Sequence, residues 1–118
     1  MQTDPRKHIQ DYAKGKYPET LPLPPETVGD AVDHLIRGMT IKDKATVANM
    51  DSDELLGLHV GLGTYIRIAF ELWHGNDALV ESCRSISDDI EDADDASAAI
   101  IGALHRELFS SHRLRVVS

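Results

Sequence analysis

The sequence predicts a small all-α protein, a compact bundle of five or six helices. Apolar residues recur at three- and four-residue steps in several segments, and no clear strand alternation is present. The chain has 118 residues, of which 42% are hydrophobic, and this suits one domain with its own core. Capping residues and glycines separate the periodic segments, so most helix boundaries can be placed.

An N-terminal arm is predicted to precede the bundle at residues 1–22. Asp4–Pro5 favours a helix start, because a carboxylate can cap a helix and proline suits its first position. Four prolines within residues 17–25 favour an extended strap laid over the core. The helical domain is predicted over residues 23–109, and a basic, loosely held tail over residues 110–118.

Two helices are predicted in the first half of the domain. The first follows Glu26 and carries apolar residues on one face, with Gly38 at its end. The second begins at Thr40, which has the spacing of a capping box with Asp43. This helix is predicted to end near Asn49.

The strongest helical pattern follows Asp51, which has the spacing of a capping box with Glu54. Its apolar stripe consists of Leu55, Leu58, Leu62, Ile66, Phe70 and Trp73. The pattern runs through glycines at positions 57, 61 and 63, although each interior glycine costs up to ~1 kcal/mol relative to alanine. We therefore expect a kink or close packing there, and an end of the helix at His74–Asn76.

Two further helices are predicted in the last third of the chain. Asn76 or Asp77 is expected to cap the first of them. An acidic connection follows, and Asp94 or Asp95 is expected to cap a final helix whose apolar residues extend to Leu108.

The net charge of the chain limits the classes of partner that it can be expected to bind. The chain has 20 acidic and 12 basic residues, a formal net charge of -8, which argues against nucleic acid and anionic membrane as partners. Most of this charge lies in residues 76–95, where Arg84 is the one basic residue. The acidic residues of this stretch are Asp77, Glu81, Asp88, Asp89, Glu91, Asp92, Asp94 and Asp95.

An acidic surface at this stretch is expected to bind a basic protein, because opposite charges speed and orient encounter. By analogy, immunity, antitoxin and counter-defence proteins act in this way without catalysing a reaction. The polar N-terminus lacks the apolar segment of a signal peptide, and we expect a cytoplasmic protein of bacterial type.

Neither a metal site nor a cofactor site is predicted. The sequence contains no zinc-binding pattern and no phosphate-binding loop, and the acidic run lacks the spacing of a calcium loop. Cys83 is the one cysteine, which excludes an internal disulfide. It falls on the apolar face of its helix, where a thiol is usually inert.

A candidate polar site accompanies the long central helix. Its residues are His59, Arg67, Trp73, Asp94 and Asp95. Arg67 lies between two isoleucines and must reach a carboxylate or solvent, because an unpaired buried charge is costly. We favour a structural salt bridge to Glu71, Asp94 or Asp95.

Two alternatives to the protein-binding hypothesis stay open. In the first, His59 and Arg67 serve an enzyme or a small-ligand-binding protein, and their side chains should then converge on an open cavity. In the second, the chain is a homo-oligomeric structural module whose glycine-notched helix packs on a second copy, with a homodimer as the simplest form.

Three stretches of the chain resemble a known family. They are Asn49–Leu55, His59–Arg67 and Leu72–Trp73. They are similar to the patterns N-M-S-E-x-x-L, H-x-G-L-G-x-x-I-R-N and L-W-G of small bacterial proteins of unknown function, which also carry a later H-P-D-D-x-S. The resemblance covers about Leu23 to Leu108, and it implies a small helical fold and no established activity.

The chain departs from that family pattern at two places. Ile68 stands where the family has asparagine, and Asp92–Ala93 replaces the family's His-Pro, although Asp94, Asp95 and Ser97 match. If the family shares a polar site at these positions, this chain has lost part of it. The departures therefore favour a structural role for Arg67.

Overall fold

The structure of the protein, a computed structural model, describes residues 24–73 and 75–117, with side chains as far as Ser111. This part of the chain forms five helices and contains no strand, which confirms the predicted all-α fold. The predicted N-terminal arm, and the proline-rich strap as far as residue 23, lie outside the described residues.

The helices are α1 (Val28–Arg37), α2 (Ile41–Ala48), α3 (Ser52–Ala69), α4 (Asp77–Arg84) and α5 (Ala93–Val117). The last helix is the central element, because α5 packs against each of the other four, and α1 also packs against α4. The predicted boundary between domain and tail, at residue 110, falls within α5. No helix in the described part of the chain is long and apolar enough to cross a membrane.

Two capping boxes confirm predicted helix starts. The Oγ1 of Thr40 accepts a hydrogen bond from the Asp43 backbone N–H at 3.1 Å, and the Asp43 carboxylate accepts one from the Thr40 N–H at 3.2 Å. Asp51 and Glu54 exchange equivalent bonds at 2.9 and 3.2 Å. These bonds satisfy N–H groups that the first helical turn leaves without a partner. The predicted end of α1 at Gly38 is also confirmed.

The start of α5 corrects the prediction that Asp94 or Asp95 caps this helix. The helix begins at Ala93, and the Asp92 carboxylate accepts from the Asp95 N–H at 2.9 Å. The Asp95 carboxylate in turn accepts from the Glu91 N–H at 2.9 Å. Every aspartate in this run is chemically suited to cap a helix, so local sequence does not choose among them.

The end of α3 also differs from the prediction, because the helix stops at Ala69 rather than at His74–Asn76. The chain turns at Glu71, which has φ of 56° and so adopts the left-handed conformation. The Leu72 N–H then bonds the Arg67 carbonyl at 3.0 Å, as in a Schellman turn. Glycine usually occupies the left-handed position, so a glutamate there conceals the end of the helix.

The core lies between α5 and the helices around it. Its largest fully buried apolar side chains are Phe70, Leu35, Leu58, Ile66, Leu79, Ile100, Ile101 and Leu104. The predicted α3 stripe is buried as far as Phe70, but Trp73 is 52% exposed because it lies beyond the end of the helix. Cys83 is fully buried, and burial raises the pKa of its thiol to about 11.

Candidate functional site

The guanidinium of Arg67 links the C-terminal end of α3 to the first turns of α5. Its Nη1 donates to Ser97 Oγ at 2.9 Å, and its Nη2 donates to Thr64 Oγ1 at 3.1 Å and to the His59 carbonyl at 3.5 Å. Its Nε lies 3.4 Å from Asp94 Oδ1, an ion pair outside hydrogen-bond geometry. The Arg67 side chain is 12% exposed and that of Asp94 73%, so the cation is mostly buried and the carboxylate faces solvent.

The structure brings four of the five candidate polar residues together. They are His59, Arg67, Trp73 and Asp94. The Trp73 ring lies over the guanidinium, with its centroid 5.5 Å from Cζ, a cation–π contact. Asp95 is not part of the cluster, because its carboxylate bonds the backbone of Glu91. Of the three alternative carboxylates predicted to pair with Arg67, the structure has Asp94 in that role.

The environment of His59 favours a neutral imidazole. Burial lowers the pKa of His59, and the nearby Arg67 charge lowers it further, against an opposing effect of Asp94. A neutral ring beside a buried cation avoids like-charge repulsion.

The polar contacts of this cluster are made within the protein. Ser97 is fully buried, and its hydroxyl donates to the Asp94 carbonyl at 2.9 Å while it accepts from Arg67. An anion-binding arginine needs N–H groups directed at a ligand, whereas here both terminal nitrogens of Arg67 donate to protein oxygens. The geometry therefore favours the structural role.

Gly63 provides the space that the guanidinium occupies. A Cβ built on Gly63 would lie 3.0 Å from Arg67 Nη1, which is closer than a side chain tolerates without movement. The sequence predicts a kink or close packing against a neighbour at the glycines, but the group that packs on Gly63 is an arginine of the same helix one turn later. A Cβ on Gly57 would meet nothing within 4 Å.

We expect the substitutions Gly57→Ala and Gly63→Ala to differ in their effect on the free energy of unfolding. Gly57→Ala should raise it by up to ~1 kcal/mol, because alanine has the higher helix propensity. Gly63→Ala should bring no gain, because the methyl group displaces the guanidinium from its partners. Urea unfolding of the two variants in parallel measures the difference. Equal stabilisation by both would mean that Arg67 moves aside at no cost.

The second candidate surface is acidic and lies on α4, the connection after it and the start of α5. Seven of its acidic residues are exposed, namely Asp77, Glu81, Asp88, Asp89, Glu91, Asp92 and Asp94, while Asp95 is half-buried. Arg84 pairs with Glu81 and donates to the Ile90 carbonyl at 3.2 Å. The described residues supply no ion-pair partner for Asp77, Asp88, Asp89 or Glu91.

Two cavities lined by described residues lie at places that the sequence did not indicate. One, of about 350 Å³, is lined by α1 residues that include Asp33 and His34, and by the segment before α1. The other, of about 500 Å³, is lined by residues around Glu71 and Asn76. Across the residues described, no group of three His, Cys, Asp or Glu side chains is placed to hold a metal ion.

An aromatic cluster around His34 is not indicated by any pattern in the sequence. Its Nε2 lies 3.2 Å from the Tyr65 hydroxyl, the two rings stack, and Phe70 meets the imidazole edge-on with centroids 5.4 Å apart. Burial, followed by the charge of Arg37, lowers the pKa of His34. His34 and Tyr65 are far apart in sequence, so no local spacing could have paired them.

The two perturbed histidines predict loss of stability on acidification. The pKa values of His34 and His59 lie below the ordinary 6.5 in the folded chain, so the unfolded chain binds protons more readily. Their contribution to the free energy of unfolding is present above pH 6.5, and it is lost as the pH falls through the lowered pKa values.

Urea unfolding across this pH range measures the effect. The variant His34→Gln keeps a hydrogen-bonding amide near Tyr65 but does not titrate, so its stability should fall less on acidification. A variant whose stability falls as steeply as that of the original chain would contradict the prediction.

A protein-family model matches most of the chain. Residues 24–108 match the family model described as Domain of unknown function (DUF6794). The match covers α1 to α4 and most of α5, nearly the same stretch as the resemblance to an uncharacterised family. No curated protein and no solved structure matches the chain. The chain therefore belongs to the family described as a domain of unknown function (DUF6794).

Proposed function

We propose that this chain is a non-enzymatic protein-binding module that binds a basic protein partner through its acidic surface. The observation that carries the proposal is the exposure of the carboxylates on α4, the connection and the start of α5. Arg84 is the one base in this stretch, and it pairs with Glu81. An immunity or antitoxin protein that neutralises a basic target would use such a surface.

In this proposal the acidic surface attracts its partner through its negative electrostatic potential. Exposed carboxylates without a cationic neighbour produce a negative potential that attracts a positive surface over about a Debye length, ~8–10 Å at physiological salt. Such attraction raises the association rate and aligns the two surfaces, and it weakens as salt concentration rises. The partner should therefore bind tightly at low salt and dissociate at high salt.

The polar cluster supports this function better than catalysis or small-ligand binding. Arg67 directs its terminal nitrogens to Ser97, Thr64 and the His59 carbonyl. These bonds direct both terminal nitrogens of the guanidinium into the protein rather than toward a substrate. The carboxylates of Asp77, Asp88, Asp89 and Glu91, by contrast, are exposed and have no ion-pair partner among the described residues.

A pull-down experiment tests the proposal. The tagged full chain serves as bait at low salt in an extract of the organism that encodes it, beside a variant with Asp88→Asn, Asp89→Asn and Glu91→Gln. We expect a basic protein to be retained by the original chain, to be released at high salt, and to be lost from the variant.

A matched control removes the same charge elsewhere. Glu26, Asp30 and Asp33 are exposed at the start of α1, and their replacement by glutamine and asparagines also removes three negative charges. The control should retain the basic protein. Failure of the bait to retain any basic protein at low salt, or equal retention by both variants, would overturn the proposal.

A further inference from the structure

Trp73 presents an aromatic ring at the edge of the acidic surface. Its side chain is 52% exposed, whereas the nearby aromatic residues Tyr65 and Phe70 are buried. One face of the indole lies over the Arg67 guanidinium, with the ring centroid 5.5 Å from Cζ. Since half of the residue is exposed while one face of its ring is covered, the opposite face is the exposed one. Tryptophan is highly buried on average, and aromatic residues are enriched at protein interfaces.

A carboxylate of the acidic surface lies beside this ring. Asp94 Oδ1 is 3.4 Å from Arg67 Nε, so the carboxylate and the indole contact the same guanidinium. Most of the Asp94 side chain stays accessible, since it is 73% exposed. Glu91 and Asp92, which precede it in the chain, are exposed as well. The exposed face of Trp73 therefore adjoins the acidic surface.

Arg67 indicates which kind of cation suits this place. Its planar guanidinium packs on the indole and pairs with the Asp94 carboxylate at the same time. A guanidinium is planar and weakly hydrated, so it stacks on an aromatic ring better than the compact, strongly hydrated ammonium of lysine. The charges of Arg67 and Asp94 offset one another, so Glu91 and Asp92 leave the potential negative there and attract a further cation.

We propose that Trp73 and Asp94 are the point at which the acidic surface recognises an arginine of its basic partner. The arginine stacks on the exposed face of Trp73 and pairs with the Asp94 carboxylate. This preference for arginine rests on the proposed function, and it adds the chemistry that the partner must present. Long-range attraction to carboxylates does not distinguish arginine from lysine, whereas stacking does. Arg67 already holds the indole, so binding orders little that was free before.

Titration of the full chain with two synthetic peptides tests the preference. One peptide alternates arginine with glycine and the other lysine with glycine, with equal numbers of positive charges and blocked ends. We expect both to bind at low salt, and the arginine peptide to bind at least ~3-fold more tightly. The arginine peptide should also shift the emission of Trp73, the one tryptophan of the chain, to shorter wavelength as the ring leaves water. The lysine peptide should leave that emission nearly unchanged.

Two variants locate the preference on the indole. Trp73→Leu should abolish the preference for arginine and leave the affinity for the lysine peptide nearly unchanged, both measured by titration calorimetry. Binding of the lysine peptide thus also shows that the variant keeps its fold. Phe109→Leu is the matched control, because Phe109 is 47% exposed near the C-terminal end of α5 and outside the acidic surface, and this variant should keep the preference. A preference for arginine that survives Trp73→Leu would contradict the proposed role of the indole.

The same titration separates the arginine preference from the proposed function. If the two peptides bind equally and dissociate at high salt, the acidic surface binds cations without regard to their shape. The proposed function then stands and the arginine preference is wrong. A chain that binds neither peptide at low salt would contradict both.

Discussion

Replacing Arg67 with methionine is expected to lower the free energy of unfolding by about 3 kcal/mol. The substitution keeps most of the apolar stem and removes the guanidinium. The buried Ser97 hydroxyl then loses its donor, Thr64 loses a hydrogen bond, and Trp73 loses a cation–π contact. The carboxylate left behind, that of Asp94, is exposed, so the cost comes from the lost hydrogen bonds to a charged donor, roughly 1.5–3 kcal/mol each, and not from an unpaired buried charge.

Urea unfolding measures this loss, and Trp73, the one tryptophan of the chain, reports on the cluster by its fluorescence. The control is Asp94→Asn. Because the Asp94 side chain is 73% exposed, its ion pair is screened by solvent and its loss should cost less than ~1 kcal/mol. An Arg67→Met variant as stable as the original chain would contradict the structural role, and would instead favour a binding role in which stability was sacrificed for function.

Replacing Asn76 with alanine is expected to lower the free energy of unfolding by about 2–4 kcal/mol. Its Oδ1 caps α4 by accepting from the Leu79 N–H at 3.2 Å. Its Nδ2 donates to the Phe70 carbonyl at 2.7 Å and to the Pro25 carbonyl at 2.9 Å. One side chain thus joins the end of α3, the start of α4 and the segment before α1.

The variant Asn76→Asp separates these contributions. Aspartate caps helices as well as asparagine does. If Asn76 acted only as a cap, the substitution would leave the free energy of unfolding almost unchanged. In Asn76→Asp the second carboxylate oxygen would face the carbonyl oxygens of Phe70 and Pro25. We therefore expect the free energy of unfolding to fall by about 2 kcal/mol or more. Asp51→Asn, at a helix cap without such donors, is the matched control and should be nearly neutral. Equal stability of Asn76→Asp and the original chain would show that the donated bonds contribute nothing.

The helix starts could be predicted because the chemistry of a cap is local. Thr40 with Asp43, and Asp51 with Glu54, lie three residues apart, so each pair is visible in the sequence itself. The cap of α5 is Asp92 rather than the predicted Asp94 or Asp95, because neighbouring aspartates offer the same chemistry. The end of α3 cannot be read from the sequence, because its left-handed residue is Glu71 rather than glycine.

The contacts that build the site were less accessible to sequence reasoning. Arg67 could be expected to seek a carboxylate, but the choice of Asp94 over Glu71 or Asp95 depends on how α3 crosses α5. Likewise, the sequence does not show that Gly63 lies under the guanidinium, because this depends on the path that the Arg67 side chain takes. Pairing of His34 with Tyr65 joins two helices, and no periodicity within either helix specifies it.

The labelling rate of the buried Cys83 thiol can measure how often the folded chain opens. A thiol reagent attacks the thiolate, and Cys83 is both fully buried and shifted to a pKa of about 11, so it should react only in opened molecules. Its Sγ lies 3.6 Å from the Ala96 carbonyl of α5, the helix against which every other helix packs. A labelling rate that matches global unfolding would mean that α4 opens only with the whole domain, whereas a faster rate would identify α4 as a separately opening unit.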